Sequence, residues 1–530
     1  MFKKIKEFFR VLGELKYIIP LLRYKFPDPD DNESLAHSFE KTVKQFGDNN
    51  FIFFEDENWS YSETNNAANS LANKLIDDGV SHSDRVVLFM ENRPDFIITI
   101  LALNKIGAIG VLINTSLTGK PLIHCINSSD SKKCIVGAEL ASSLEDVLDE
   151  INLKNKSDIY WVEDGNRFIC PEWALNLKPS LDDSKNENLE ITNMVTAKDT
   201  AFYIFTSGTT GVPKAALFPN SKIIAASMNI SKGGYRISDS DCMYNCLPLY
   251  HSTGLMLGLC ACIQVGAATF IRRKFSASAF WKEAKQFNTT AFVYVGELCR
   301  YLSFQDSSEE EKDNPISSMV GNGLRPDLWD CFRNRFNVER IIEIYGASEG
   351  NALFMNLLNK DETIGMTNAR VALLEYDVAE DKLVKDTENK FIEVDEDEPG
   401  LLLVEIGPDA IYNGYTDKKA SEEKVISNVF ENGDRWFNTG DLVKTMDVGF
   451  SLGRTHYQFV DRVGDTFRWK SENVSTNEVA EILNAFDQVN MANVFGVKVP
   501  QSEGRAGMVA FNCNIDDFKW DEFSEFVSIK

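Results

Sequence analysis

Over most of the chain the apolar positions fall into short helical and strand patterns that alternate. The run Asp84-Arg85-Val86-Val87-Leu88-Phe89 predicts a strand, residues 94–105 a helix and residues 108–113 the next strand. Further apolar runs at 133–136, 159–162 and 201–205 predict strands. Residues 221–231 and 278–287 predict helices, with strands at 267–271 and 290–295. Such alternation predicts parallel α/β sheets. Beyond about Ser348 the pattern changes to short strands and turns, as at 400–406, and predicts a smaller β-rich unit. The acidic runs 309–313 and 395–398 read as solvated loops.

At the N-terminus, Phe2, Ile5, Phe8, Phe9, Leu12, Leu15, Ile19 and Leu22 recur at helical spacing. Lys3, Lys4, Lys6, Arg10 and Lys16 add positive charge to the same segment. Pro20 is expected to kink or end this helix, because it lacks an N–H. Two readings stand side by side: a helix lying on an anionic membrane surface, or one packed on the protein's own body. The stretch 27–32 reads as a linker. No apolar run reaches the ~20 residues that span a bilayer. Residues 97–113 come nearest, but Asn104, Lys105 and two glycines interrupt them, so a buried helix running into a strand is expected. The N-terminus is too charged for a secretory signal.

Composition narrows the class. A chain of 530 residues predicts about three or four folded units. A net charge of -25 argues against nucleic acid as a partner, which needs a basic footprint. Ten scattered cysteines lack zinc-knuckle spacing and read as reduced, mostly buried thiols in a cytoplasmic setting. Peripheral contact with the inner face of a membrane through residues 2–22 stays open, as does the oligomeric state.

The densest chemistry lies at Thr206-Ser207-Gly208-Thr209-Thr210-Gly211-Val212-Pro213-Lys214. An apolar strand delivers the chain into hydroxyls and unhindered backbone N–H groups that can wrap an anion closely. Lys214 adds a cation, and Pro213 stiffens its approach. The spacing differs from the Walker loop, and no Ser or Thr follows the lysine, which excludes a kinase-like or GTPase-like reading.

This loop resembles the signature of the adenylate-forming superfamily of acyl-CoA synthetases, luciferases and peptide-synthetase adenylation domains. Further strings are similar to its fatty acid transport protein, or very-long-chain acyl-CoA synthetase, branch. They are Leu247-Pro248-Leu249-Tyr250-His251-Ser252, Val295-Gly296-Glu297-Leu298, Gly321-Asn322-Gly323-Leu324-Arg325-Pro326 and Arg468-Trp469-Lys470-Ser471-Glu472. The resemblance implies an α/β fold: a large N-terminal domain of two parallel-sheet subdomains plus a β-rich subdomain, then a small α+β C-terminal domain. The expected boundaries are 1–30 for the amphipathic segment, 31–462 for the adenylation domain and 463–530 for a partial mobile domain.

The resemblance also implies roles. Thr206, Ser207, Gly208, Thr209, Thr210, Gly211 and Lys214 would hold the triphosphate of ATP. In Tyr345-Gly346-Ala347-Ser348-Glu349-Gly350, Tyr345 would stack on adenine, with Gly346 and Gly323 in the same nucleotide site. Ser348, standing where threonine is usual, would face the α-phosphate. Glu349 would hold Mg²⁺, a hard cation suited to carboxylate and phosphate oxygens. Asp441 and Arg462 would take the ribose. His251 would border the acyl entrance, with Thr253, Gly254, Met256, Gly258 and Gly296 near an acyl tunnel. Lys470 would lie on the thioester-forming face beyond a hinge near Gly464-Asp465, used by coenzyme A. Ser471 replaces the usual glycine there.

The implied reaction joins a fatty acid to coenzyme A through acyl-AMP, at the expense of ATP. Another carboxylate (a bile acid, a carnitine-like acid, an aryl acid) is the alternative substrate. Fatty-acid uptake or binding with impaired catalysis is the alternative from another class. A lysine that relatives place near the C-terminus has no counterpart before Lys530, which leads to an expectation of ATP binding with slow acyl-AMP formation.

Overall fold

A computed structural model describes the chain except residues 1, 154–155, 166–167, 179–180, 182–184, 207–212, 348–349, 379, 408–409, 464–465, 470–471, 485, 487, 490, 499–504, 514, 516 and 530. Two large sheets organise it. The seven-stranded sheet runs Leu175–Asn176, Ile159–Val162, Lys133–Gly137, Arg85–Phe89, Ile109–Leu112, Thr200–Thr206 and Lys214–Pro219, parallel except for the last pair. The eight-stranded sheet is parallel at its centre: Arg340–Tyr345, Ser318–Asn322, Ala291–Val295, Cys242–Asn245, Ala268–Ile271 and Asn50–Phe54 lie side by side. Antiparallel strands Phe354–Met355 and Glu57–Ser60 close its edges. The inner strands are near-continuous apolar runs because helices cover both faces of a parallel sheet.

Helix Pro94–Lys105 is buried almost throughout. Pro94 opens it at a position whose N–H would have no helical partner. Lys105, the charge that interrupts the apolar run, is also buried, and its ammonium is satisfied by the Glu40 carboxylate. A third, antiparallel sheet of five strands follows, centred on Arg435–Met446. The C-terminal unit has its own small core of Phe467, Leu483, Val489, Ala492, Val494 and Phe518.

Two expectations need correction. The helix Phe2–Arg23 continues through Pro20, which sits in its last turn. There the missing N–H deprives only the Lys16 carbonyl, at an exposed residue where water can serve it. The acidic run 309–313 is not wholly solvated: Ser308 caps a short helix, and Glu311 is buried against Arg335 at 2.9 Å.

The structure shows both sides of the N-terminal helix. Val11, Glu14 and Leu21 are buried on the body. Each fully buried apolar side chain of this size contributes about 1.5–3 kcal/mol. Glu14 meets Arg340 at 3.0 Å and also pairs with Arg236. The Arg236 guanidinium lies 3.6 Å from the Tyr17 ring centroid. On the other face Ile5, Phe8, Phe9, Ile19 and Leu22 are open to solvent, Phe9 and Leu22 at 66%.

Candidate active site

Ligands in open α/β sheets lie outside the carboxyl ends of the strands, and Thr206, Gly323 and Tyr345 stand at or just past such ends, whereas Lys214 opens its strand and Asp441 and Arg462 lie on antiparallel strands. Thr206 ends its strand opposite Lys214, its cross-strand partner, so the two hold the mouths of the intervening loop together. The Thr206 hydroxyl is buried and has no partner among the described residues. A buried hydroxyl without a partner carries a desolvation cost that an anionic oxygen would relieve. The Lys214 ammonium lies 5.8 Å from the Tyr415 ring centroid. Tyr415 is brought there because residues 414–416 run alongside Lys214–Pro219: Thr416 donates its N–H to the Ala215 carbonyl at 3.0 Å. Ser207, Gly208, Thr209, Thr210 and Gly211 lie outside the described residues, as do Ser348, Glu349 and Lys470. Gly464, Asp465 and Ser471 do too.

Tyr345 ends strand Arg340–Tyr345 and leads into Gly346. Its hydroxyl donates to Asp441 at 2.5 Å. Burial, reinforced by the Asp441 charge, holds this phenol well above its ordinary pKa, so it stays a donor. Arg462 stands 3.7 Å from Asp441 and directly opposite it in the sheet register. It is 71% exposed on its side chain, whereas Asp441 is 13% exposed, so the carboxylate is the fixed member of the pair.

The local sequence explains how Asp441 is aimed. Gly440 adopts a φ of +77°, in the left-handed region that glycine tolerates. The Asn438 side chain accepts the Gly440 N–H at 2.9 Å, and the Thr439 hydroxyl accepts the Asp441 N–H at 3.1 Å. Pairing shifts between Leu442 and Val443, and such a bulge re-aims a side chain at a strand edge.

Gly323, at φ +77°, follows strand Ser318–Asn322. Gly321 pairs with Glu343, so the register carries Gly323 to the level of Tyr345. His251 sits apart from these residues, beyond strand Cys242–Asn245. Its ring has an exposed edge but is crowded by protein, and this desolvation lowers its pKa, leaving it neutral at pH 7. The space at the glycines assigned to a tunnel is filled. A Cβ at Gly254 would lie 2.6 Å from the Pro248 carbonyl oxygen, and one at Gly258 would lie 2.4 Å from the Asn245 amide nitrogen. They let main chain and side chain pack closely.

Several supporting residues escaped the sequence reading. Asn92 fixes the segment before His251: its amide donates to the Leu247 carbonyl at 2.8 Å, and its oxygen accepts the Leu249 N–H at 2.8 Å. His124 Nε2 donates to the Pro213 carbonyl at 3.0 Å, anchoring the residue before Lys214. Asp461, beside Arg462, accepts from the Ser475 hydroxyl at 3.0 Å and the Thr476 N–H at 2.7 Å, tying the C-terminal unit to strand His456–Arg462. Only Asp461 carried a local signal, an acid preceding the flagged arginine. Among the described residues no group of three or more His, Cys, Asp or Glu side chains is placed to hold a metal ion.

The fold is a mixed α/β one with a large N-terminal domain and a smaller C-terminal one. It is similar to the crystal structure of the anthranilate CoA ligase AuaEII in complex with anthranoyl-AMP, with a TM-score of 0.77 at 17% identity over 96% of this chain and 91% of that one. ATP-bound MatB from Rhodopseudomonas palustris is similar at a TM-score of 0.75 and 18% identity, covering 93% of this chain and 92% of that one. The chain belongs to the AMP-binding enzyme family, whose pattern matches residues 39–415. It is 38% identical to the medium/long-chain-fatty-acid–CoA ligase FadD6 of Mycobacterium tuberculosis (strain ATCC 25618 / H37Rv), over 91% of this chain and 78% of that protein. It is 35% identical to the long-chain fatty acid transport protein 6 of Mus musculus, over 95% and 80%.

Proposed function

We propose that the chain is an ATP-dependent long-chain or very-long-chain fatty acid–CoA ligase. The carboxylate attacks the α-phosphorus of ATP, the bond to the bridging oxygen breaks, and pyrophosphate leaves. The thiol of coenzyme A then displaces AMP from the acyl carbonyl. The observation that carries this reading is the grouping of Tyr345, Asp441 and Arg462 in a chain with 38% identity to a fatty acid–CoA ligase.

Positioning and charge neutralisation supply most of the catalysis in such a reaction. Asp441 accepts the ribose hydroxyls, and Tyr345 offers its ring to adenine. Thr206 and Lys214 close on the phosphates from both ends of the loop. Glu349 would hold Mg²⁺, which when bound supplies further neutralisation of phosphate charge. His251, neutral, would border the acyl entrance without adding charge there.

The test is a carboxylate panel scored by pyrophosphate release and CoA thioester formation. The expected result is a maximum with long-chain fatty acids. Turnover confined to aryl or bile acids would redirect the substrate assignment, and tight fatty-acid binding with no ATP consumption would sink the enzyme reading.

We further propose that the enzyme meets its substrate at an anionic membrane surface through the N-terminal helix. No helix among the described residues is long and apolar enough to cross a membrane. The open row of Ile5, Phe8, Phe9, Ile19 and Leu22 is accompanied by exposed Lys16 and Arg23, whereas Glu7 and Glu14 are held in ion pairs with protein cations. That leaves an apolar and basic face on a protein of charge -25. The vesicle partition coefficient, read by co-sedimentation with phosphatidylserine vesicles, should fall about a thousandfold in a Phe9→Asp/Leu22→Asp variant, since each substitution removes roughly 2 kcal/mol of insertable surface. Equal sedimentation of the two proteins would refute the contact.

A further inference from the structure

We propose that Glu343 is a positioning residue for the nucleotide, setting the height of the Gly323–Leu324 turn beside Tyr345. The inference rests on the adenylating function above. Glu343 lies two residues before Tyr345 in strand Arg340–Tyr345, so both side chains leave the same face. It does not reach the ligand space itself, being 4% exposed.

Its carboxyl group gathers donors from two neighbouring segments. The N–H of Gly323 donates to Oε1, and the N–H of Leu324 donates to the same oxygen at 3.1 Å. The Tyr294 hydroxyl, at the end of strand Ala291–Val295, donates to Oε2. One side chain therefore ties together the carboxyl ends of the strands on which the nucleotide would rest.

The turn it holds has no slack on its other side. A Cβ at Gly296 would lie 1.6 Å from the Gly323 carbonyl oxygen. The 322–324 segment is thus pressed onto Gly296 and pulled toward Glu343. Its left-handed Gly323 turns the backbone N–H inward, to the carboxyl group.

A carboxyl group in such a place costs far more than the leucine or methionine that would fill the same volume. Burial pushes its pKa up to about 8, against the opposing pull of Tyr294, Leu324 and Gly323. Packing alone therefore does not account for an acid here. Holding two adjacent main-chain N–H groups does, because an apolar side chain offers no acceptor.

The test compares Glu343→Met, which keeps the volume and removes the acceptors, with Glu343→Gln, which keeps an amide oxygen for the two N–H groups. In Glu343→Met the KM for ATP should rise about tenfold, while the KM for the fatty acid stays within about twofold. Glu343→Gln should return the KM for ATP to within about twofold of wild type. The role is overturned if the Met variant binds ATP as wild type does, or if both KM values rise together. It is likewise overturned if Gln behaves like Met, or if Met cannot fold while Gln can, which would make Glu343 a scaffold residue. Wild-type protein that binds no ATP would instead overturn the functional reading beneath it.

Discussion

Replacing Asp441 by alanine is expected to lower kcat/KM for ATP by about a hundredfold, with the KM for the fatty acid unchanged within about twofold. The magnitude follows from what the carboxylate does. It accepts the Tyr345 hydroxyl at 2.5 Å and faces Arg462 at 3.7 Å. It is also the acceptor proposed for the ribose hydroxyls. Hydrogen bonds to a charged group contribute about 1.5–3 kcal/mol each. Losing one such bond to the ligand, and leaving the Tyr345 phenol unpaired, accounts for roughly 3 kcal/mol. Asp441→Asn keeps the shape and one acceptor oxygen, so about a tenfold loss is expected. Pyrophosphate release measured against ATP concentration separates these outcomes. Wild-type kcat/KM in the alanine variant would remove Asp441 from the nucleotide site.

The second large effect concerns stability. Glu14→Ala is expected to destabilise the protein by about 3–5 kcal/mol, read as a lower urea midpoint, because it breaks a buried ion pair from one side. Glu14 and Arg340 are both nearly inaccessible on their side chains. Burial already pulls the Arg340 guanidinium down to about 10, with Glu14 opposing that pull. At pH 7 it stays protonated, so without Glu14 a buried cation loses its carboxylate. The double variant Glu14→Met/Arg340→Met should recover only part of the loss, since it removes the unpaired buried cation but leaves Arg236 without its carboxylate and the Gly233, Gly234 and Leu357 carbonyls without their donor. If the single variant matches wild type, the helix contributes nothing through this pair.

These two residues differ in how readable they were. Asp441 stands in a compact string whose order is informative, and the surrounding Asn438, Thr439 and Gly440 are the residues that a re-aimed strand needs. The parallel sheets were legible for a similar reason: near-continuous apolar runs separated by helical spacing have few other interpretations. Residues 94–105 and 159–162 were read with the boundaries the structure gives them.

Glu14 gave no comparable signal. An acid in an amphipathic helix reads as a solvated face, and its partners lie 222 and 326 residues away in sequence. Distance also hid Asn92, whose partners lie 155 and 157 residues away, whereas Glu343 was hidden because its value lies in main-chain N–H groups of a turn that follows a neighbouring strand. Pro20 and Glu311 misled for the opposite reason. Their local propensities are real, but an exposed last turn tolerates the first, and Arg335 overrides the second. The side chains of Phe9 and Leu22 remain outside any core, in keeping with the membrane reading that the helical spacing left open.

Strand Arg340–Tyr345 receives the N-terminal helix at its first residue, holds the Gly323–Leu324 turn at its fourth and presents the Tyr345 ring at its sixth. Side chains alternate between faces along a strand, so a single inserted or deleted residue would throw one end onto the wrong face. The segment can therefore change in composition but not in length: a one-residue insertion between Ile341 and Ile344 should be the least tolerated alteration in the sheet, whatever amino acid is added.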